Sequence, residues 1–152
     1  MRLDKKKNLE YQQNRSPYLM IDFAEEVIPG KSARGYKDLN NDEWFFKVHW
    51  AGDPNMPGML QIESLVQMCA LSILCLPGNK GKVVYLTSAS NLKFIKKIIP
   101  NCRLYIETKV KSFKRGLAVC EGFGLVEKEI VCRAEFNLIL PEEIKKYNLK
   151  SN

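Results

Sequence analysis

"MPGMLQIESLVQMCALSILCLPG", residues 56–78, carries a proline near its start and Pro77-Gly78 at its close. Pro57 suits a first helical turn, where a missing N–H costs nothing, and Pro-Gly halts a helix, so about twenty residues of helix fit between them. The apolar residues of this stretch fall on nearly every side of the helix rather than along one stripe. Such a helix cannot lie on a surface, so other structure has to wrap it. Gln61, Glu63, Ser64, Gln67 and Ser72 interrupt the run, which makes it too polar for a membrane span.

The wrapping material is legible on both sides. Upstream, "PYLMIDFAEEVIPGKSARGYKDLN" reads as a hairpin about Pro29-Gly30-Lys31, with apolar residues flanking a turn signal. "DEWFFKVHW" reads as a short aromatic strand or extended segment that leads into the helix. Downstream, three long β-branched and aromatic runs alternate with polar residues, with tight turns at Lys114-Arg115-Gly116 and Glu127-Lys128-Glu129. They predict an antiparallel meander. One long buried helix and a long-stranded antiparallel sheet give an α+β class, with the sheet curling around the helix.

A chain of 152 residues with 45% hydrophobic residues has the size and apolar content of one domain with a core, so a single domain over 1–152 is expected. Residues 1–15, "MRLDKKKNLEYQQNR", read as a flexible basic tail. No apolar segment follows that charge, so no secretory signal is visible and the cytoplasm is the default location. The five cysteines, Cys69, Cys75, Cys102, Cys120 and Cys132, include no C-x-x-C pair and mostly lie in apolar runs, so they read as buried thiols rather than metal ligands or disulfides. A net charge of +7 invites an acidic partner. The basic residues Lys93, Lys96 and Lys97, with Lys114 and Arg115, are candidates for meeting one, although such runs are usually solvated strand faces. Zinc-finger spacing, a helix-turn-helix pattern and an RNP-like aromatic pair are all missing, which argues against nucleic acid.

Chemistry concentrates between His49 and Gln67. Glu63 and Gln67 are one helical turn apart and share a face. A carboxyl flanked by Met59, Ile62, Leu65 and Val66 is partly desolvated, which raises its pKa and keeps a proton available, as a general acid requires. Gly58 falls in the first turn, where backbone N–H groups lack intrahelical acceptors and no side chain bars a substrate carbonyl. His49, the only histidine, can act as a base near neutral pH. Each piece has an ordinary structural reading: a hydrogen-bonding imidazole, a surface glutamate, a helix start. Their ordered density is what favours a site for proton abstraction beside a polarised carbonyl.

"HWAGDPNMPGMLQIESLVQ", residues 49–67, resembles the signature H-F-P-G-x-P-x-M-P-G-x-L-x-x-E-x-x-x-Q of the bacterial (3R)-3-hydroxyacyl-[acyl-carrier-protein] dehydratases of type II fatty acid synthesis. The likeness runs from "SPYLMID" through "FF" to "KRGLAVCEGFGLVEKEIVCRAEF". It implies the hot-dog fold, a curved antiparallel sheet around a central helix, and dehydration of the hydroxyacyl thioester to the trans-2-enoyl product. By position it implies His49 as the base at C2, Glu63 as the acid at the C3 hydroxyl, Gly58 as the N–H donor to the thioester carbonyl and Gln67 as a helper that orients the carboxyl. It also implies a homodimer whose sites combine both chains, commonly a trimer of dimers, an acyl carrier protein as partner, and no metal or organic cofactor.

Trp50-Ala51 departs from the family's usual Phe-Pro, and Pro100-Asn101-Cys102 from its Pro-Gly-Asp, although Asn can also take up a left-handed turn. Glu63, where the related dehydratase/isomerases carry Asp, favours the plain dehydratase. Leu86, Phe94 and Ile98 are candidates for the wall of an acyl tunnel. Two other readings remain: a hot-dog acyl thioesterase, and a non-catalytic paralogue that binds acyl groups or the carrier protein.

Overall fold

The computed structural model describes residues 1–148; the last four residues of the expected domain, 149–152, lie outside the described residues. Strands β1 (Leu3–Asp4), β2 (Phe23–Ile28), β3 (Ser32–Leu39), β4 (Tyr85–Phe94), β5 (Cys102–Lys114), β6 (Leu117–Val126) and β7 (Glu129–Ile139) form one antiparallel sheet in the order β1-β2-β3-β5-β6-β7-β4. Helices α1 (Lys5–Tyr11), α2 (Trp44–Val48), α3 (Gly58–Leu74) and α4 (Pro141–Asn148) complete the chain.

Helix α3 is the 17-residue element that the opening stretch predicts, and from Ser64 to Leu74 every one of its residues is buried. It packs on β2, β3, β5, β6 and β7, so most of the sheet curves around it. Along β5, Leu104, Ile106, Thr108 and Val110 point inward while their neighbours face out, the period-two alternation of a sheet with one covered face. Close approach is needed at Gly35, where an added Cβ would lie 2.9 Å from Met68 of α3 and 2.0 Å from the Phe23 carbonyl.

The turns form where their residues suggest. Pro29-Gly30-Lys31 joins β2 to β3, with Gly30 at φ 71°. Arg115 and Gly116 (φ 51° and 81°) close β5 onto β6, and Glu127 and Lys128 (φ 50° and 67°) close β6 onto β7. These are the consecutive positive values that two-residue hairpins demand. Asn101 takes φ 65° in the Pro-Asn-Cys turn. The meander is therefore β5-β6-β7, and β4 joins it on the far side of β7 as an edge strand.

Two expectations are corrected. Residues 44–48 are helix α2, not extended, and adjacent Phe45 and Phe46 are both buried. A strand would send such neighbours to opposite faces, whereas a helical turn puts both into one core. Residues 1–15 are not a free tail: Leu3 pairs with Ala24 and is buried, and the Asp4 carboxylate accepts from the Lys7 N–H at 2.8 Å to cap α1. The capping Asp before a run of helix formers was the available signal, masked by the three lysines that face solvent. Among the described residues, no helix is long and apolar enough to cross a membrane.

Leu3→Ala should consequently cost about 2 kcal/mol in urea unfolding, near the low end for a buried leucine, where a free tail would show a change within about 0.5 kcal/mol.

Candidate functional site

Three segments build the site: the end of α2 with the loop 49–57, the first turns of α3, and the stretch 18–20 that leaves the turn at 16–18. His49 is the C-cap residue of α2, and its N–H donates to the Phe45 carbonyl at 3.0 Å. Its Nδ1 lies 2.9 Å from the Asn55 carbonyl oxygen. A carbonyl can only accept, so Nδ1 carries the proton and Nε2 keeps a lone pair free to take one. The Trp50 indole stacks on the imidazole with centroids 4.8 Å apart and planes at 27°.

The loop that presents His49 is pinned along its length. Asp53 N–H donates to Trp50 O (2.8 Å), Asn55 Nδ2 to Asp53 O (2.7 Å) and Met56 N–H to Ile98 O (2.8 Å). Buried Gln61 donates from Nε2 to the Met56 carbonyl at 3.0 Å, tying the loop to α3. Sequence reading passed over Gln61, although a glutamine among apolar helix residues was a sign that it holds buried backbone.

On α3, Gln67 is almost fully buried and uses its whole amide: Oε1 accepts from Met20 N–H (2.8 Å), while Nε2 donates to the Tyr18 carbonyl (3.0 Å) and to Glu63 Oε1 (2.9 Å). The structure thus joins Gln67 to Glu63 at helical spacing and adds the Tyr18–Met20 strap, part of the "SPYLMID" stretch, to which no role in the site had been given. Burial raises the Glu63 pKa, and the Gln67 hydrogen bond, which favours the charged form, offsets only part of that. Gly58 opens α3, leaving its N–H without an acceptor inside the helix. A Cβ there would sit 2.9 Å from the Phe94 ring.

Within the chain His49 and Glu63 have separate hydrogen-bond partners, Asn55 and Gln67 respectively. Lys93, Lys96 and Lys97 are exposed beside Phe94, with Lys96 paired to Glu129 and Lys97 to Asp53 at 2.6 Å. Lys114 and Arg115 stand at the other end of the sheet. The register places Leu117 opposite Ile139 and Lys93 opposite Arg133, six residues apart on β7 or about 20 Å. The two basic groups are not one patch in a protomer. The tunnel candidates also separate: Phe94 lies over Gly58, Ile98 is in the core, and Leu86 is exposed towards the opposite end of β4.

A long apolar helix enclosed by one curved antiparallel sheet defines a hot-dog protein. A family model described as FabA-like domain matches residues 13–135, and the chain belongs to that family. It is 37% identical over 124 residues to the 3-hydroxyacyl-[acyl-carrier-protein] dehydratase FabZ of Clostridium novyi, covering 78% of this chain and 87% of the relative. The FabZ of Bacillus subtilis is 32% identical over 140 residues, covering 92% and 99%. In fold, the chain is similar to a dehydratase heterocomplex, ApeI:P from Xenorhabdus doucetiae, with a TM-score of 0.74, 13% identity and coverage of 95% and 97%. It is also similar to a hypothetical thioesterase from Streptococcus pneumoniae crystallised with coenzyme A, with a TM-score of 0.59, 16% identity and coverage of 76% and 82%.

Because folding raises the Glu63 pKa, its stabilising contribution is complete below the ordinary glutamate value of about 4.3 and is lost as pH climbs through the raised one. Glu63→Gln should therefore melt higher than wild type at pH 8 and lose that advantage at pH 4. A melting difference that is the same at both pH values would contradict the raised pKa.

Proposed function

We propose that the protein removes water from (3R)-3-hydroxyacyl-[acyl-carrier-protein] to give trans-2-enoyl-[acyl-carrier-protein], in fatty acid biosynthesis or a related acyl pathway, as a hydro-lyase. The observation that carries this reading is the half-buried Glu63 carboxyl, held by Gln67 and biased by burial towards its protonated form. His49 Nε2 takes the C2 proton, and the C2–H electron pair becomes the C2=C3 double bond. The C3–O bond breaks, and the Glu63 proton goes to the departing hydroxyl, which leaves as water. Proton exchange with solvent then returns His49 to neutral and Glu63 to its acid form. Gly58 N–H, at the positive end of the α3 dipole, stabilises charge on the thioester oxygen. The thioester itself acidifies C2, so no cofactor is needed.

The reading includes a homodimer, with a trimer of dimers as its larger form. Edge strand β4 supports it, since all ten of its residues are exposed and Tyr85, Leu86, Leu92 and Phe94 among them are apolar or aromatic. An unpaired edge of that length and character is a template for a second strand. A partner across it would bring its own apolar residues to Phe94 and Gly58, and His49 of one protomer would face Glu63 of the other. Lys93, Lys96 and Lys97, which flank in sequence the Phe94 that lies over Gly58, fit the acidic carrier protein better than the distant Lys114 and Arg115. A cytoplasmic place of action goes with a carrier-protein substrate. A thioesterase would need the helix carboxyl as a base, and burial, which disfavours the ionised form of Glu63, works against that role.

Wild type should form the 2-enoyl absorbance from a 3-hydroxyacyl thioester, and His49→Ala and Glu63→Gln should each lose at least about 100-fold, the lower range for acid–base groups. Co-refolding the two variants should restore part of the activity, because one of the two mixed sites is intact. A folded, dimeric wild type without turnover on any chain length would leave the acyl-binding reading in front, and hydrolysis without enoyl product would favour the thioesterase. Lys93→Glu should raise KM for the carrier-bound substrate and leave KM for a free pantetheine thioester within about twofold, as expected where a rim charge acts on encounter.

A further inference from the structure

Lys37 stands in the core-facing row of β3, where Ala33, Gly35 and Leu39 are its companions. Its side chain is only 5% exposed. Lysine is almost never buried unless paired, and here Nζ lies 2.8 Å from Glu43 Oε1 and 3.7 Å from Asp22 Oδ2. Asp22 is held in turn, since its Oδ2 accepts from the Asp38 N–H at 2.9 Å and Lys5 lies 3.7 Å from Oδ1.

Stability does not account for such an ammonium. A buried ion pair is often matched or exceeded by apolar side chains of similar volume, so its presence in an otherwise apolar row calls for a positional reason. Glu43 supplies one. It is the N-cap residue of α2, yet its carboxylate makes no capping bond and is given to Lys37 instead. The Glu43 carbonyl accepts from Phe46 N–H at 3.1 Å, and the Phe45 carbonyl accepts from His49 N–H at 3.0 Å. Glu43 and His49 are thus the two ends of one short rod, about 9 Å apart at helical rise. Phe45 and Phe46 fix the side of that rod in the core, which leaves rotation about the buried face and sliding along the axis. The ion pair opposes both at one end, and at the other Asn55 fixes the ring.

We propose that Lys37 is a positioning residue for His49, acting through Glu43 and α2. This rests on the reading of His49 as the base. The sole histidine gives a readout independent of turnover, since its imidazole C–H signals in a proton–carbon correlation spectrum belong to one residue. Lys37→Met and Glu43→Gln, each checked for wild-type secondary structure, should shift or broaden those signals and lower kcat at least about tenfold with KM within twofold, the pattern of a group displaced by less than an ångström or so. Lys37→Arg should restore the signals and most of kcat. An imidazole signal unmoved in a folded variant, or a kcat within twofold of an active wild type, overturns the proposal. If Lys37→Met fails to fold because its carboxylates are left unpaired, Glu43→Gln decides alone, since it keeps a hydrogen-bonding group of the same shape. If wild type shows no turnover, the dehydratase reading fails, and the spectra still decide whether Lys37 positions the ring.

Discussion

Helix α3 has to be enclosed, and the rest of the molecule is arranged to meet that demand. From Ser64 onward it has no solvent-facing side, so an open, flat sheet would leave apolar surface in water. Five strands curve around it instead, and glycines at Gly35 and Gly122 let the sheet approach to near contact with Met68 and Leu65. The polar residues inside this enclosure cannot be bystanders. Each has to be hydrogen-bonded, and the bonds they make, Gln61 to the Met56 carbonyl and Gln67 to Met20, Tyr18 and Glu63, are the ones that set the site's geometry.

The same enclosure shifts the Glu63 carboxyl. An ordinary surface glutamate would be ionised at neutral pH. Glu63 is lifted towards its protonated form because the helix that carries it is buried. His49 shows the complementary logic, with a tautomer set by one backbone carbonyl. The two groups are thereby fixed by different surroundings, Glu63 by burial and His49 by a backbone carbonyl.

Charge is divided just as unevenly. The excess of basic residues sits largely on the exterior, where Lys96 and Lys97 have carboxylate neighbours and such exposed pairs contribute little to stability. Lys37 is the exception, a cation within the core-facing row, and its partner is the residue from which α2 begins. The exposed β4 edge is the other unevenness, for the inner sheet is covered by α3 while all ten residues of β4 are exposed among the described residues. The β4 edge ends near Gly58, where the start of α3 meets Phe94.

Sequence alone settled the central helix and its burial, the hairpin turns, the α+β class, and the pairing of Glu63 with Gln67. All of these depend on local rules: helical spacing, turn residues that accept positive φ, and alternation along strands. Tertiary structure decided what those rules do not reach. The "DEWFFKVHW" segment became helical because one core had room for both phenylalanines, and the lysine-rich N-terminus became ordered because β2 offered Leu3 a partner and a pocket. The Tyr18–Met20 strap and the position of β4 beside β7 join residues far apart in the chain, and the Lys37–Glu43 pair joins a strand to the start of a helix. No periodicity records such meetings, because their energy comes from burial and hydrogen bonding that exist only once the sheet has closed around α3.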